Sequence, residues 1–134
     1  MTRLIIVLTL VAALLGLAAW EQIFIDKAYS KMKSDTAALL TAIKEIPNDA
    51  KDLVSSNENK AKVDTMREYW AKKERQMSAV NRHMELSYIS DALIYAQNFI
   101  HHDNKEEACA GLERLAYLLD AYSHIYGING WNIL

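Results

Sequence analysis

Apolar residues follow two distinct patterns along the chain. From Leu4 to Trp20 they run almost without interruption, LIIVLTLVAALLGLAAW, free of charge and preceded only by Met1, Thr2 and Arg3. Beyond that run they recur every three or four positions, which is the signature of helices with one buried face. As a helix the first run covers roughly 26 Å at about 1.5 Å per residue, slightly short of a hydrocarbon core of about 30 Å, and Ile23, Phe24 and Ile25 can extend it. Residues 1–25 therefore read as a membrane anchor, with Trp20 at the interface where an amphipathic ring is favoured. A cleaved signal peptide is the competing reading, because Gly16 to Ala19 supplies small residues where a peptidase can cut. The run is longer than an ordinary signal core and its helical pattern continues past it, which favours the anchor. Arg3 and the amino terminus are the only charges on the short side. The positive-inside rule then puts the amino terminus in the cytoplasm and residues 21–134 outside the cytoplasmic membrane, as a single-pass cell-membrane protein.

The second pattern predicts a helical bundle over residues 26–134. Ile25, Ala28, Tyr29, Met32, Thr36, Leu39, Leu40, Ile43 and Ile46 form one stripe, ended by Pro47, which lacks a donor and turns the preceding residue away from the helix. A short helix over 48–55 is possible after it, and the polar SSNENK at 55–60 reads as a loop. Val63, Met66, Trp70, Met77, Val80 and Met84 make a second stripe that runs on through Ile89, Leu93, Ala96 and Ile100. A straight helix of that length would outreach its partners, so a bend or break is expected near Asn81 to Glu85. Asp103 followed by Glu106, and Asn104 followed by Glu107, both resemble capping boxes. A last helix starts there, with Ala108, Leu112, Leu115, Leu119, Tyr122 and Tyr126 inside, Cys109 and Ala116 widening that face, and Gly127 as its carboxyl-terminal cap. The fold class is all-α: one transmembrane helix followed by an antiparallel bundle of three or four helices.

Composition narrows the function. The chain has 134 residues with four Gly and one Pro, too few turn residues for a β-sandwich or barrel. Fifteen basic against 17 acidic side chains leave a net charge of −2, which gives no broad attraction to nucleic acid. The single Cys109 excludes an internal disulfide. None of His83, His101, His102 and His124 pairs with another at the three- or four-residue spacing that converges on a metal, and no glycine-rich phosphate loop, CxxC or HExxH occurs. No enzyme, cofactor or metal site is expected. The candidate polar site is His83, Glu85 and Ser87 near the predicted break, against the plainer reading that these residues only fix the packing. His101 and His102 suit a helix end, where donors meet exposed carbonyls. Tyr88, Asp91 and Tyr95 share one helix face. With the apolar carboxyl-terminal residues Trp131, Ile133 and Leu134, Tyr88 and Tyr95 are the candidate partner contacts; the tail either tucks onto the bundle or docks on a partner.

The stretches HMELSYISDAL and HHDNKEEACAGLERLAYLLDAYSHI and the closing NIL resemble a family of short bacterial membrane-anchored proteins, domain of unknown function 4363, over roughly residues 65–134. The family's tryptophan, His-x-Glu, hinge aspartate, leucine-rich helix ending in His-Ile and terminal Asn-Ile look like Trp70, His83, Glu85, Leu93, Asp103, Leu115, His124, Ile125, Asn132 and Ile133 here. Two acids usual in the family are absent, Ser87 standing after the His-x-Glu and Tyr126 and Gly127 after His-Ile. The resemblance implies an amino-terminal anchor, an all-helical domain without assigned activity, and association with other small membrane proteins.

Two functions are compatible with these features. One is a non-enzymatic structural or interaction module at the outer face of the cytoplasmic membrane, held by lipid around its first helix and bound to another membrane or envelope protein. The other is an extracytoplasmic bundle that senses a small ligand or metal near His83.

Overall fold

Four helices make up the computed structural model, which describes residues 2–50, 52–77 and 83–126, with the side chains of residues 2, 3, 83 and 124–126 outside that description. They are α1 (Thr2–Lys44), α2 (Asn57–Met77), α3 (His83–His101) and α4 (Lys105–Tyr126). Each packs against two neighbours, in the order α1, α2, α3, α4 and back to α1. Cross-helix contacts fix the directions. Asp64 meets His101 while Trp70 meets Ser90, and Lys105 meets the end of α1 while Lys33 meets Asp120, so neighbours are antiparallel throughout. The result is an up-and-down four-helix bundle built on the second half of a 43-residue first helix.

The predicted stripes form the core. Ile25, Ala28, Tyr29, Met32, Thr36, Leu39 and Ile43 are buried on α1, and Val63, Met66, Trp70 and Met77 on α2. Leu86, Ile89, Leu93, Ala96 and Ile100 face them from α3, and Ala108, Leu112, Leu115 and Leu119 from α4. Tyr29 meets Trp70 edge to face at 5.7 Å, a geometry that sets the positive ring edge against the negative face. The Trp70 indole N–H donates to Ser90 at 3.0 Å and Ser90 donates to Glu74 at 2.8 Å, so the largest core side chain keeps its polar atom partnered. At Gly111 the helices α3 and α4 approach closely: a Cβ there would lie 2.9 Å from the Tyr95 ring and 3.0 Å from the Ala96 Cα.

Several expectations are corrected. The described residues between 48 and 55 are not helical: Asp52 is left-handed with φ 60°, and its N–H and that of Ser55 donate to the Asp103 carboxylate instead of to helical carbonyls. Only the first two residues of the SSNENK segment are loop. Helix α2 begins at Asn57, capped by Ser56, whose hydroxyl accepts the Asn59 N–H at 3.3 Å and whose carbonyl accepts that of Lys60 at 3.0 Å. Asn59 is buried because its amide satisfies the carbonyls of Leu53 and Val54. The expected break after the second stripe lies between Met77 and His83, and it is a full reversal of the chain. Met84 is 68% exposed, since the reversal resets the helical phase that the stripe carried. Ile25, which the sequence places both at the end of the apolar run and at the head of the first stripe, lies in the bundle core. Val80 and Gly127 lie outside the described residues.

The end of the bundle away from the apolar run is closed by α4 and the residues before it. Asp103 ends α3 in a Schellman motif: it is left-handed at φ 54°, its N–H reaches Ile100, and the Asn104 N–H reaches Phe99. An aspartate tolerates this conformation better than most residues. Asn104, not Asp103, caps α4, accepting the Glu107 N–H at 3.1 Å; Glu107 does not reach back to the cap and binds the Tyr95 hydroxyl instead. Lys105 directs its ammonium at the carbonyls of Lys44 and Ile46 and at the Asn48 side chain, satisfying acceptors that α1 leaves open.

Two predictions follow from this packing. Gly111→Ala adds a methyl against backbone that cannot move independently of α3, so it lowers unfolding free energy by about 1–3 kcal/mol despite the better helix propensity of alanine; chemical denaturation followed by circular dichroism measures it. The backbone N–H groups of Ser55 and Asp52 hold the Asp103 carboxyl below the ordinary aspartate range. A depressed carboxyl stabilises the fold above its unfolded value, and that contribution is lost as pH falls towards the folded one. Asp103→Asn, which keeps a side chain tolerant of positive φ, therefore has a lower denaturant midpoint than the parent at pH 7. The two midpoints converge below the aspartate range.

Candidate functional site at the base of the bundle

The apolar run is the least satisfied part of the surface. From Leu4 to Trp20 every residue is exposed, Leu14 to 66% and Trp20 to 67%, and this is the one helix among those described that is long and apolar enough to cross a membrane. Around Trp20 the pattern changes from apolar on all sides to apolar on one. Glu21 and Gln22 are half-buried, Ile23 is exposed, Phe24 is half-buried and Ile25 is in the core. No glycine or proline lies between Gly16 and Pro47, so nothing in the sequence kinks the helix across this change.

A cleft opens at this level between α1 and the end of α2. It has a volume of about 340 Å³ and is lined by Leu17, Trp20, Glu21, Phe24, Ile25, Gln76 and Met77. Trp20 and Phe24, one turn apart, stack with ring centroids 6.0 Å from each other. The Lys73 ammonium sits 4.1 Å from the Phe24 centroid and 5.6 Å from that of Tyr69, held by the negative faces of two rings. The cleft is thus mostly apolar, with Glu21 and Gln76 as its polar lining residues, and the Lys73 ammonium lies against the Phe24 ring without itself lining the cleft. Periodicity did not single it out, since Phe24 and Lys73 are brought together by the fold. The Trp20 and Phe24 spacing, and the basic KKER at residues 72–75 near the end of α2, are the only sequence signals for it.

His83 opens α3. Glu85 is half-buried towards α4, where its charge, after burial, is the second reason that the Tyr122 phenol stays above its ordinary range. Ser87 is exposed and donates to the Met84 carbonyl of its own helix at 2.8 Å. Glu85 and Ser87 therefore point to different sides of α3. Tyr88 is exposed to 43% and Tyr95 to 41%. The Tyr95 hydroxyl is bonded to Glu107 and its ring lies 4.6 Å from that of Phe99, so it seals the edge between α3 and α4 while still presenting a face. Trp131, Ile133 and Leu134 lie outside the described residues.

Of the two adjacent histidines, His102 meets the Asn98 carbonyl at 2.7 Å, as expected at a helix end. His101 does not. It pairs with Asp64 of α2 at 2.8 Å, and Asp64 also accepts from Gln97 at 2.6 Å. Burial alone raises the Asp64 carboxyl, but the hydrogen bonds from Gln97 and His101 and the charges of His101 and Arg67 outweigh it and hold it below the ordinary range. Cys109 is half-buried, and burial raises its thiol, the opposite of what a nucleophile needs. Among the described residues no three His, Cys, Asp or Glu side chains are grouped so as to hold a metal ion. Comparison with family models, curated proteins and solved structures finds no match to the chain.

Proposed function

We propose that this chain is a single-pass membrane protein whose helical domain serves as a non-enzymatic interaction module at the outer face of the cytoplasmic membrane. The observation that carries the reading is α1 itself: one helix presents a fully exposed apolar run and then, without a break, a stripe buried in the bundle. An apolar surface of that length is stable only against lipid or protein, and a helix satisfies its own backbone in a bilayer. Arg3 before the run, with Glu21, Asp26 and Lys27 after it, orients the bundle outwards. Membership of the family of short bacterial membrane-anchored proteins described above belongs to the same reading and rests on the residues that resemble it.

Anchoring confines the module to two dimensions and raises its effective concentration for a membrane partner. The partner is another membrane or envelope protein, met by the Tyr88 and Tyr95 face together with Trp131, Ile133 and Leu134. The non-enzymatic reading is supported by the raised Cys109 thiol and by polar clusters that are consumed in joining helices, as Asp64 is with Gln97 and His101.

Topology is tested with one thiol. In a Cys109→Ala background, Glu106→Cys places an exposed sulfur at the end of the bundle away from the apolar run. A membrane-impermeant maleimide is expected to label it in intact cells, with the protein remaining in the membrane fraction after carbonate washing. Labelling only after permeabilisation overturns the orientation, and release by carbonate overturns the anchor. For the partner, a photoreactive phenylalanine analogue in place of Tyr88 is expected to yield a discrete adduct with an integral membrane protein, and the same analogue in place of Glu106 none. Equal adducts from both positions contradict the assigned face.

A further inference from the structure

The segment KKER at residues 72–75 brings three cations to the end of α2, and the fold uses them differently. Lys73 is half-buried against the Phe24 and Tyr69 rings, and Glu74, also half-buried, accepts the Ser90 hydroxyl. Lys72 and Arg75 stay exposed, three residues apart and so on one side of the helix. The Arg75 Nε donates to the Ala71 carbonyl at 3.2 Å, which turns the guanidinium back towards the turn that carries Lys72. No exposed carboxylate follows Glu68 on α2. The helix dipole accounts for a cation in the last turn, which Arg75 supplies, and not for a second one a turn earlier.

Contacts between α1 and α2 set the height of this pair. Tyr29 meets Trp70 and Phe24 meets the Lys73 ammonium, so α2 descends beside α1 with Lys72 level with residues 25–27 and Arg75 level with residues 22–24. Gln76 and Met77 share a cleft with Leu17 and Trp20, which brings the end of α2 down to the apolar run itself. With Trp20 at the edge of the hydrocarbon core, Arg75 stands about 3–6 Å and Lys72 about 8–10 Å above that edge. A headgroup layer is about 5–8 Å thick, the difference between a bilayer of about 40–45 Å and its core of about 30 Å shared between two faces. Both long side chains therefore reach the phosphates, one from within the layer and one from just above it. We propose that Lys72 and Arg75 form a contact site for the headgroup phosphates of the bilayer that holds α1, with anionic phospholipid preferred. The occupant follows from position and charge. At this height the molecules surrounding the chain are lipids, and two neighbouring cations without an exposed carboxylate beside them on α2 are complemented by an anionic layer. The bundle is then held to the bilayer by two helices instead of one, and α1 leans to the side of α2.

This inference rests on the membrane reading above, and its test separates the two. In the Cys109→Ala background, single nitroxide labels are attached through Leu14→Cys, Gln76→Cys and Glu106→Cys, three positions exposed in the fold. The full chain is reconstituted into vesicles of equal parts phosphatidylcholine and phosphatidylglycerol. Collision with an aqueous nickel chelate is expected to be severalfold weaker at position 76 than at position 106, and a lipid carrying nickel on its headgroup is expected to relax the label at 76 and not that at 106. Combining Lys72→Gln with Arg75→Gln is expected to raise the access of the chelate to position 76 severalfold, as are vesicles of phosphatidylcholine alone, while position 14 stays shielded. Equal access at 76 and 106 with position 14 shielded overturns the contact. Shielding at 76 that survives the loss of both cations overturns their role. Shielding without relaxation by the headgroup nickel shows that protein covers the site, a second copy of the chain, and overturns the lipid assignment. Free access of the chelate to position 14 overturns the membrane reading instead.

Discussion

The unbroken hydrogen-bond ladder of α1 is the constraint on which the rest of the structure depends. A helix fixes the angle between every pair of its residues, so the side of α1 that enters the bundle at Ile25, Tyr29 and Met32 also fixes which side of the run below faces which way. The bundle cannot rotate or tilt relative to that run without bending a segment that contains neither glycine nor proline. The change from apolar on all sides to apolar on one happens within about two turns, and the cleft lined by Trp20, Phe24 and Met77 lies at that change. The base of the bundle is thus defined by the boundary itself.

The opposite end is held by a different kind of contact. There the helices stop, and each stop leaves backbone groups that the helix cannot satisfy. Asp103 takes up two N–H groups of the loop after α1, Asn59 takes up two of that loop's carbonyls, and Lys105 takes up the last carbonyls of α1. The bonds of Asp103 and Lys105 join residues 48 to 61 positions apart and, with those of Asn59, close the bundle over Val54. Between the two ends the helices are fastened by burial, by Trp70 through Ser90 to Glu74, and by the close approach at Gly111. Surface ion pairs such as Lys33 with Asp120 add little, since exposed pairs are weak.

Periodicity made the helices and most of the core legible, because burial on one side of a helix writes a spacing of three and four directly into the sequence. It failed where the cause was not local. The SSNENK segment looked like loop because a helix's first turn is polar by necessity, and the burial of Asn59 depends on carbonyls that only the folded loop presents. Met84 was carried along by a stripe that ends at Met77, since a pattern cannot reveal that the chain has reversed between two helices of the same character. The duplicate capping-box pattern at Asp103 and Asn104 was resolved only by Asp52 and Ser55, which occupy the first carboxylate. His101 read as a cap because its tertiary partner, Asp64, lies a helix away. The cleft at the base has the same origin: its rim is built from two helices, and neither carries a motif by itself.

The proposed role turns on mechanical continuity between an apolar run and a folded module. A bundle on a flexible tether samples all orientations, whereas one whose core helix continues into the run presents a fixed face and a fixed height to its neighbours. The most direct test of that continuity is hydrogen exchange of the backbone amides of α1 in the full chain reconstituted in lipid. Continuity predicts that the amides of residues 20–26 are protected to the same degree as those of residues 28–43. Rapid exchange confined to 20–26, between two protected segments, would show a hinge and contradict the account.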